Sequence, residues 1–96
     1  MIFLEYYSIT IILHPSIPSD IRLIEGEIDS ETILLDGLLS ILSQYEKVAN
    51  VLISESDVRP GYLLLSNKIE LKTTRKLYSP ITSDMEIKII PISHGG

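Results

Sequence analysis

The residues with a chemistry open to them lie at the end of the chain, where Met85-Glu86-Ile87-Lys88-Ile89-Ile90-Pro91-Ile92 runs into Ser93-His94-Gly95-Gly96. Glycine usually serves a positive φ or a close backbone approach within its own molecule, and no turn follows here that needs either. A remaining use is passage of the tail through a narrow channel in another molecule. Chance supplies two such glycines in about one chain in two hundred, at roughly 7% glycine per position, so the rest of the chain has to agree. Such an end offers the Gly96 carboxylate, on a carbon with no Cβ to obstruct attack. Residues 92–96 extend roughly 17 Å at ~3.3–3.6 Å each, enough for a folded domain to stay outside an active site that its end enters.

No other residues form a catalytic set. His94 lies on a tail that cannot hold a base in geometry, so it reads as a contact in the partner's channel. His14 precedes a turn and reads as a surface residue. There is no cysteine, which excludes disulfides, thiolate metal sites and a cysteine nucleophile. The serines show no histidine–acid arrangement and the acids no metal spacing. The six acids within residues 20–36, against the single Arg22, read as solvated surface. The catalytic and metal assignments are therefore none, and the protein is expected not to be an enzyme.

Ninety-six residues suit one domain that buries roughly 60–65% of its unfolded surface. A net charge of −5 argues against direct nucleic-acid binding, which needs a basic surface, and favours a protein partner with a basic patch. The N-terminus lacks a basic n-region, and no apolar run approaches the ~20 residues of a membrane span. A cytoplasmic protein without membrane contact is expected, and a monomer, since nothing calls for an obligate assembly.

The elements that must position the tail follow from periodicity. Residues 2–13, rich in β-branched and aromatic side chains, predict a strand. His14 to Ser19, with Pro15 and Pro18, predicts a turn. Ile21 to Ile28 predicts a second strand, with Gly26 marking a bulge. Asp29 and Ser30 are N-cap types before a stripe of Leu34, Leu38, Ile41, Leu42 and Tyr45, which predicts one helix over 31–46. Gly37 either lets that helix approach the sheet or is there by accident. Asp57 to Gly61 predicts a turn, Tyr62–Ser66 a third strand, Asn67-Lys68 a hairpin turn, and 69–71 a fourth strand. Residues 85–90 predict the fifth strand, central in a mixed sheet, with Pro91 stopping its ladder and launching the tail. The order β-β-α-β-β-β is an α+β sandwich of one five-stranded sheet and one main helix.

Asp57-Val58-Arg59-Pro60-Gly61-Tyr62-Leu63-Leu64-Leu65-Ser66-Asn67, followed some thirty residues on by His94-Gly95-Gly96, resembles the ubiquitin-related modifier family. That family belongs to the ubiquitin-like β-grasp superfamily, with the sulfur carriers of molybdopterin and thiamine synthesis. Leu71-Lys72-Thr73-Thr74-Arg75-Lys76 lacks the Trp-Glu pair associated with eukaryotic members. The resemblance implies a β-grasp domain over 1–91 and a flexible tail over 92–96. It implies adenylation of the Gly96 carboxylate by an E1-like enzyme that uses ATP, with no cofactor bound by the chain itself. Thiocarboxylation would follow, with a sulfurtransferase or transfer-RNA thiolation enzyme as partner, or conjugation to lysines of target proteins. Ile92, Ser93, His94 and Gly95 would fill the activating enzyme's channel. A carboxylate is a poor electrophile, so conversion to a mixed anhydride must precede attack by sulfur or amine.

Alternation along the last strands also predicts a docking face. With Leu63, Leu65, Ile87 and Ile89 turned to the helix, Tyr62, Leu64, Lys88, Ile90 and Ile92 face outward and form a patch beside the tail. The alternative function is a non-activated β-grasp binding module, whose partner would still bind after removal of Gly95 and Gly96. Lysines 47, 68, 72, 76 and 88 could accept conjugation, and nothing in the sequence selects one.

Overall fold

Along Tyr6–Leu13 every second side chain (Tyr7, Ile9, Ile11, Leu13) turns to the core, and this period of two makes β1. The computed structural model describes residues 3–92. In chain order the elements are β1 (Tyr6–Leu13), β2 (Leu23–Asp29), α1 (Leu34–Ser43), α2 (Glu46–Leu52), β3 (Ile53–Ser54), β4 (Asp57–Val58), β5 (Tyr62–Ser66), β6 (Ile69–Glu70) and β7 (Met85–Pro91). A single 3₁₀ turn spans Lys76–Tyr78. Five strands form one mixed sheet in the order β2-β1-β7-β5-β6, and β3 and β4 form a separate two-stranded ribbon. β7 lies at the centre of this mixed sheet, as the sequence predicts, and runs parallel to β1 and antiparallel to β5.

The helical stripe holds: Leu34, Leu38, Ile41 and Leu42 are buried, and the core joins them to Ile9, Ile11, Ile24, Leu64, Ile87 and Ile89. The predicted single helix is two. Its N-cap is Ile33 rather than Asp29 or Ser30, because the Asp29 carboxylate accepts the Glu31 N–H at 3.0 Å in a local turn. Ile33 is extended and bridges to Pro80, and the Leu34 N–H donates to Ser79 O at 2.9 Å. α1 stops at Ser43. After a break at Tyr45 (φ −118°, ψ 86°), α2 buries Val48 and Leu52.

Three further expectations change. β1 begins at Tyr6, not at residue 2. Asp57 and Val58, predicted as turn, pair with Ile53 and Ser54 in the β3–β4 ribbon, whose reversal uses Glu55 at φ 57°. Gly26 makes no bulge, since β1 and β2 keep register from Tyr6↔Asp29 to Ile12↔Leu23. It admits the helix instead. A Cβ on Gly26 would lie 2.7 Å from Ile41 Cδ1, and one on Gly37 2.5 Å from Ile28 Cδ1. The β5–β6 turn is as expected, with Asn67 and Lys68 both at positive φ (50° and 67°), the pair that a type I′ hairpin requires.

Candidate functional site

The site begins with β7, because its direction decides where the tail leaves. β7 and β5 pair from Leu65↔Lys88 to Tyr62↔Pro91, and the Ile92 N–H donates to Gly61 O at 2.7 Å. Pro91 therefore does not stop this ladder. Backbone groups alternate sides along a strand, so with Ile92 bonded towards β5 the Pro91 nitrogen faces the β1 side. β1 has ended there, its last pairing being Leu13↔Ile89. The missing N–H falls where no strand remains to receive it. Ser93, His94, Gly95 and Gly96, the tail residues assigned to activation, lie outside the described residues.

The docking face needs a correction. Leu64 sits opposite Ile89 in register and is 0% exposed, so it belongs to the core. Tyr62, two residues before it, shares that face and packs half-buried against the core. Leu63 and Leu65 are the ones turned outward, opposite Ile90 and Lys88. A run of three leucines carries no period. The parity is set by Tyr62 and Ser66 at its ends, and small Ser66 fits inside at 8% exposure. Lys88 and Ile90 lie on the outer face as predicted, exposed and half-buried. Cross-strand register adds residues missed in the sequence: Ile12 opposite Lys88, and Leu23 opposite Ile12.

The bare sheet face thus divides in two. At the end where β7 finishes, Ile12, Ile90, Leu63 and Leu65 lie around Lys88, and Leu23, 55% exposed, lies beyond Ile12 on the edge strand. Ile92, exposed, continues the same parity along β7. At the other end, Tyr6 apart, the outward residues are polar or acidic, among them Ser8, Thr10, Glu25, Glu27 and Glu86. A single apolar residue on a surface is ordinary, but five neighbours on four strands next to an emerging chain form a surface that can exclude water from a partner.

Several other polar side chains are engaged in turns or at strand ends. His14 Nδ1 lies 2.7 Å from Ser16 Oγ and accepts the Ser16 N–H at 3.1 Å, which ties the turn after β1. Asp84 Oδ1 accepts the Ser8 N–H at 2.8 Å. Tyr7 donates to Glu5 at 2.6 Å, and that hydrogen bond holds its phenol above the usual tyrosine range. Among the described residues no three His, Asp or Glu side chains cluster as metal ligands, and no helix is long and apolar enough to cross a membrane.

No protein-family model and no curated protein sequence matches the chain. Solved structures do. The HVO 2177 protein of Haloferax volcanii superposes with a TM-score of 0.69 at 18% identity, covering 95% of this chain and 88% of that one. Small archaeal modifier protein 1 from Methanosarcina acetivorans gives 0.64 at 17% identity, covering 96% and 99%. Its counterpart from Haloferax volcanii gives 0.68 at 16% identity, covering 93% and 99%. At these identities the likeness establishes the fold: the chain is a ubiquitin-like β-grasp domain.

Proposed function

We propose that the chain is a ubiquitin-like protein modifier and sulfur carrier. Its Gly96 carboxylate attacks the α-phosphorus of ATP on an E1-like partner, pyrophosphate leaves, and an acyl-adenylate forms. A sulfur donor then displaces AMP to leave a thiocarboxylate, used for example in transfer-RNA thiolation, or a lysine amine displaces it to form an isopeptide bond. The observation that carries this reading is that the central strand, β7, delivers Ile92 beside the apolar end of the bare sheet face, four residues before the end of a sequence that reads His94-Gly95-Gly96. The β-grasp fold and its likeness to two small archaeal modifier proteins support it.

Within this reading the chain contributes binding surface and an acyl end, and the partner contributes every catalytic group. Leu63, Leu65 and Ile90 dock the domain, Ile92 to Gly95 thread the channel, and Gly96 reacts. The test is an intact-mass measurement after incubation with ATP, a sulfur donor and the E1-like enzyme of the same source organism. A mass gain of one adenylate, or exchange of one oxygen for sulfur, is expected. Deleting Gly95 and Gly96 should abolish both products and leave the melting temperature unchanged. Absence of both products with an enzyme that forms adenylate on another modifier overturns the proposal, and so does a deletion that unfolds the domain.

A further inference from the structure

β2 is an edge strand, and the register says which of its backbone groups face solvent. The Leu13 N–H donates to Arg22 O at 2.9 Å and the Ser30 N–H to Glu5 O at 2.8 Å, bracketing the β1–β2 ladder at its two ends. Antiparallel pairs alternate between hydrogen-bonded and non-bonded. Counting inward from both brackets, Ile24, Gly26 and Ile28 exchange bonds with β1. The backbone groups of Leu23, Glu25, Glu27 and Asp29 then point away from the sheet. Among the described residues the turns and loops use one of these, the Asp29 carbonyl, which accepts the Thr32 N–H. Among the described residues the outward amides and carbonyls of Leu23, Glu25 and Glu27 have no partner strand.

The same edge borders a groove of about 280 Å³ against α1, lined by Glu25, Glu27, Asp29 and Asp36 and by the amide and hydroxyl side chains of Gln44 and Ser40. Among the described residues no lysine, arginine or histidine lines it. The neighbouring cation Arg22 is turned away, its guanidinium donating to His14 O at 2.7 Å. The other sheet edge differs in kind: β6 is two residues long and is flanked by Lys68, Lys72, Arg75 and Lys76.

We infer that the β2 edge takes an extended, basic segment of a partner protein as an added strand. An exposed edge of this length satisfies the backbone of an incoming chain, which supplies affinity without regard to sequence, and the side chains alongside it supply selectivity. Glu25 and Glu27 share the bare face of the sheet, so they meet every second residue of the added strand. The intervening residues face Asp36, Ser40 and Gln44 across the groove. The segment that fits carries lysine or arginine at alternate positions with small polar residues between them. The acids also repel a second β2 edge, so this edge disfavours pairing of two copies through the same strand.

The experiment is a titration of the isotope-labelled full chain with a capped heptapeptide of alternating lysine and threonine, followed by amide chemical shifts and hydrogen exchange. Expected are saturable shifts centred on β2, and slowed exchange of the Glu25, Glu27 and Asp29 amides as they acquire acceptors. Glu25→Gln with Glu27→Gln should weaken binding at least tenfold while the melting temperature holds. N-methylation of one alternate set of peptide amides should abolish binding and methylation of the other set should not. The inference is overturned if a peptide of the same composition with its lysines in one block binds equally well. It is also overturned by shifts centred on Leu63 and Ile90, by equal effects of the two methylation sets, or by edge protection that grows with protein concentration without peptide.

Discussion

Leu63 and Leu64 have the same side chain on adjacent residues, and burial separates what each contributes. Leu64 is enclosed against Ile89 and the helix, so truncation leaves a cavity as well as losing transfer energy. Leu64→Ala should destabilise the fold by about 2–5 kcal/mol. Leu63, half-buried on the bare face opposite Ile90, should lose less on Leu63→Ala, about 1 kcal/mol, the size of a cross-strand pair contact. Urea denaturation followed by circular dichroism reads both. Equal costs would mean that the strand presents the opposite face. At this scale the sequence was least informative: alternation requires a polar residue to set its phase, and Leu63, Leu64 and Leu65 offer none. The residues proposed to react, Gly95 and Gly96, drew attention by type and spacing alone and lie outside the described residues.

The elements were legible wherever side-chain period and turn chemistry agreed. β1, β2, α1, β5, β6 and β7 follow the predicted order, and the Asn67-Lys68 turn adopts the left-handed pair its residues favour. Misplaced boundaries trace to local competition: the Asp29 carboxylate holds a turn where a cap was expected, and Tyr45 divides one helix into two. Pro91 was read as ending a ladder, yet a strand has two sides and the proline affects only the one that β1 has vacated. The spacing between helix and sheet was half visible: close approach at Gly37 was one of the two readings its sequence allowed and is the one that holds, whereas Gly26 looked like a bulge. Gly37→Ala improves intrinsic helix propensity by up to ~1 kcal/mol, but its methyl would meet the buried Ile28 side chain at three atoms within 2.8 Å. Overpacking of this kind costs about 1–3 kcal/mol, so a net loss of stability is expected. The same substitution in an Ile28→Ala background should cost less than in the native chain. A double-mutant cycle in urea measures that coupling, and a cycle that closes additively would remove the glycines from the account of how α1 docks.

For the whole molecule, helices cover one face of the sheet and the opposite face divides into an apolar end and an acidic end. β7 runs from the acidic end towards the apolar one, and the chain continues from there into His94-Gly95-Gly96. Under the activation proposed above, docking and chemistry then occupy separate parts of the molecule and separate kinetically. Leu63→Glu together with Ile90→Glu puts two charges where a partner would exclude water, without touching Gly96 or the buried core. Charge in a desolvated contact is costly whenever no opposite charge meets it. The apparent KM of the activating enzyme for this protein should rise at least tenfold, with kcat at saturation changed by less than about twofold, the pattern of lost uniform binding. Glu25→Gln with Glu27→Gln, at the opposite end of the face, should leave both constants unaltered. A fall in kcat at constant KM in the first pair would mean that Leu63 and Ile90 align the tail for reaction instead of holding the domain. An effect of the second pair on KM would mean that the activating enzyme covers the acidic end as well, and that the β2 edge is part of one continuous interface.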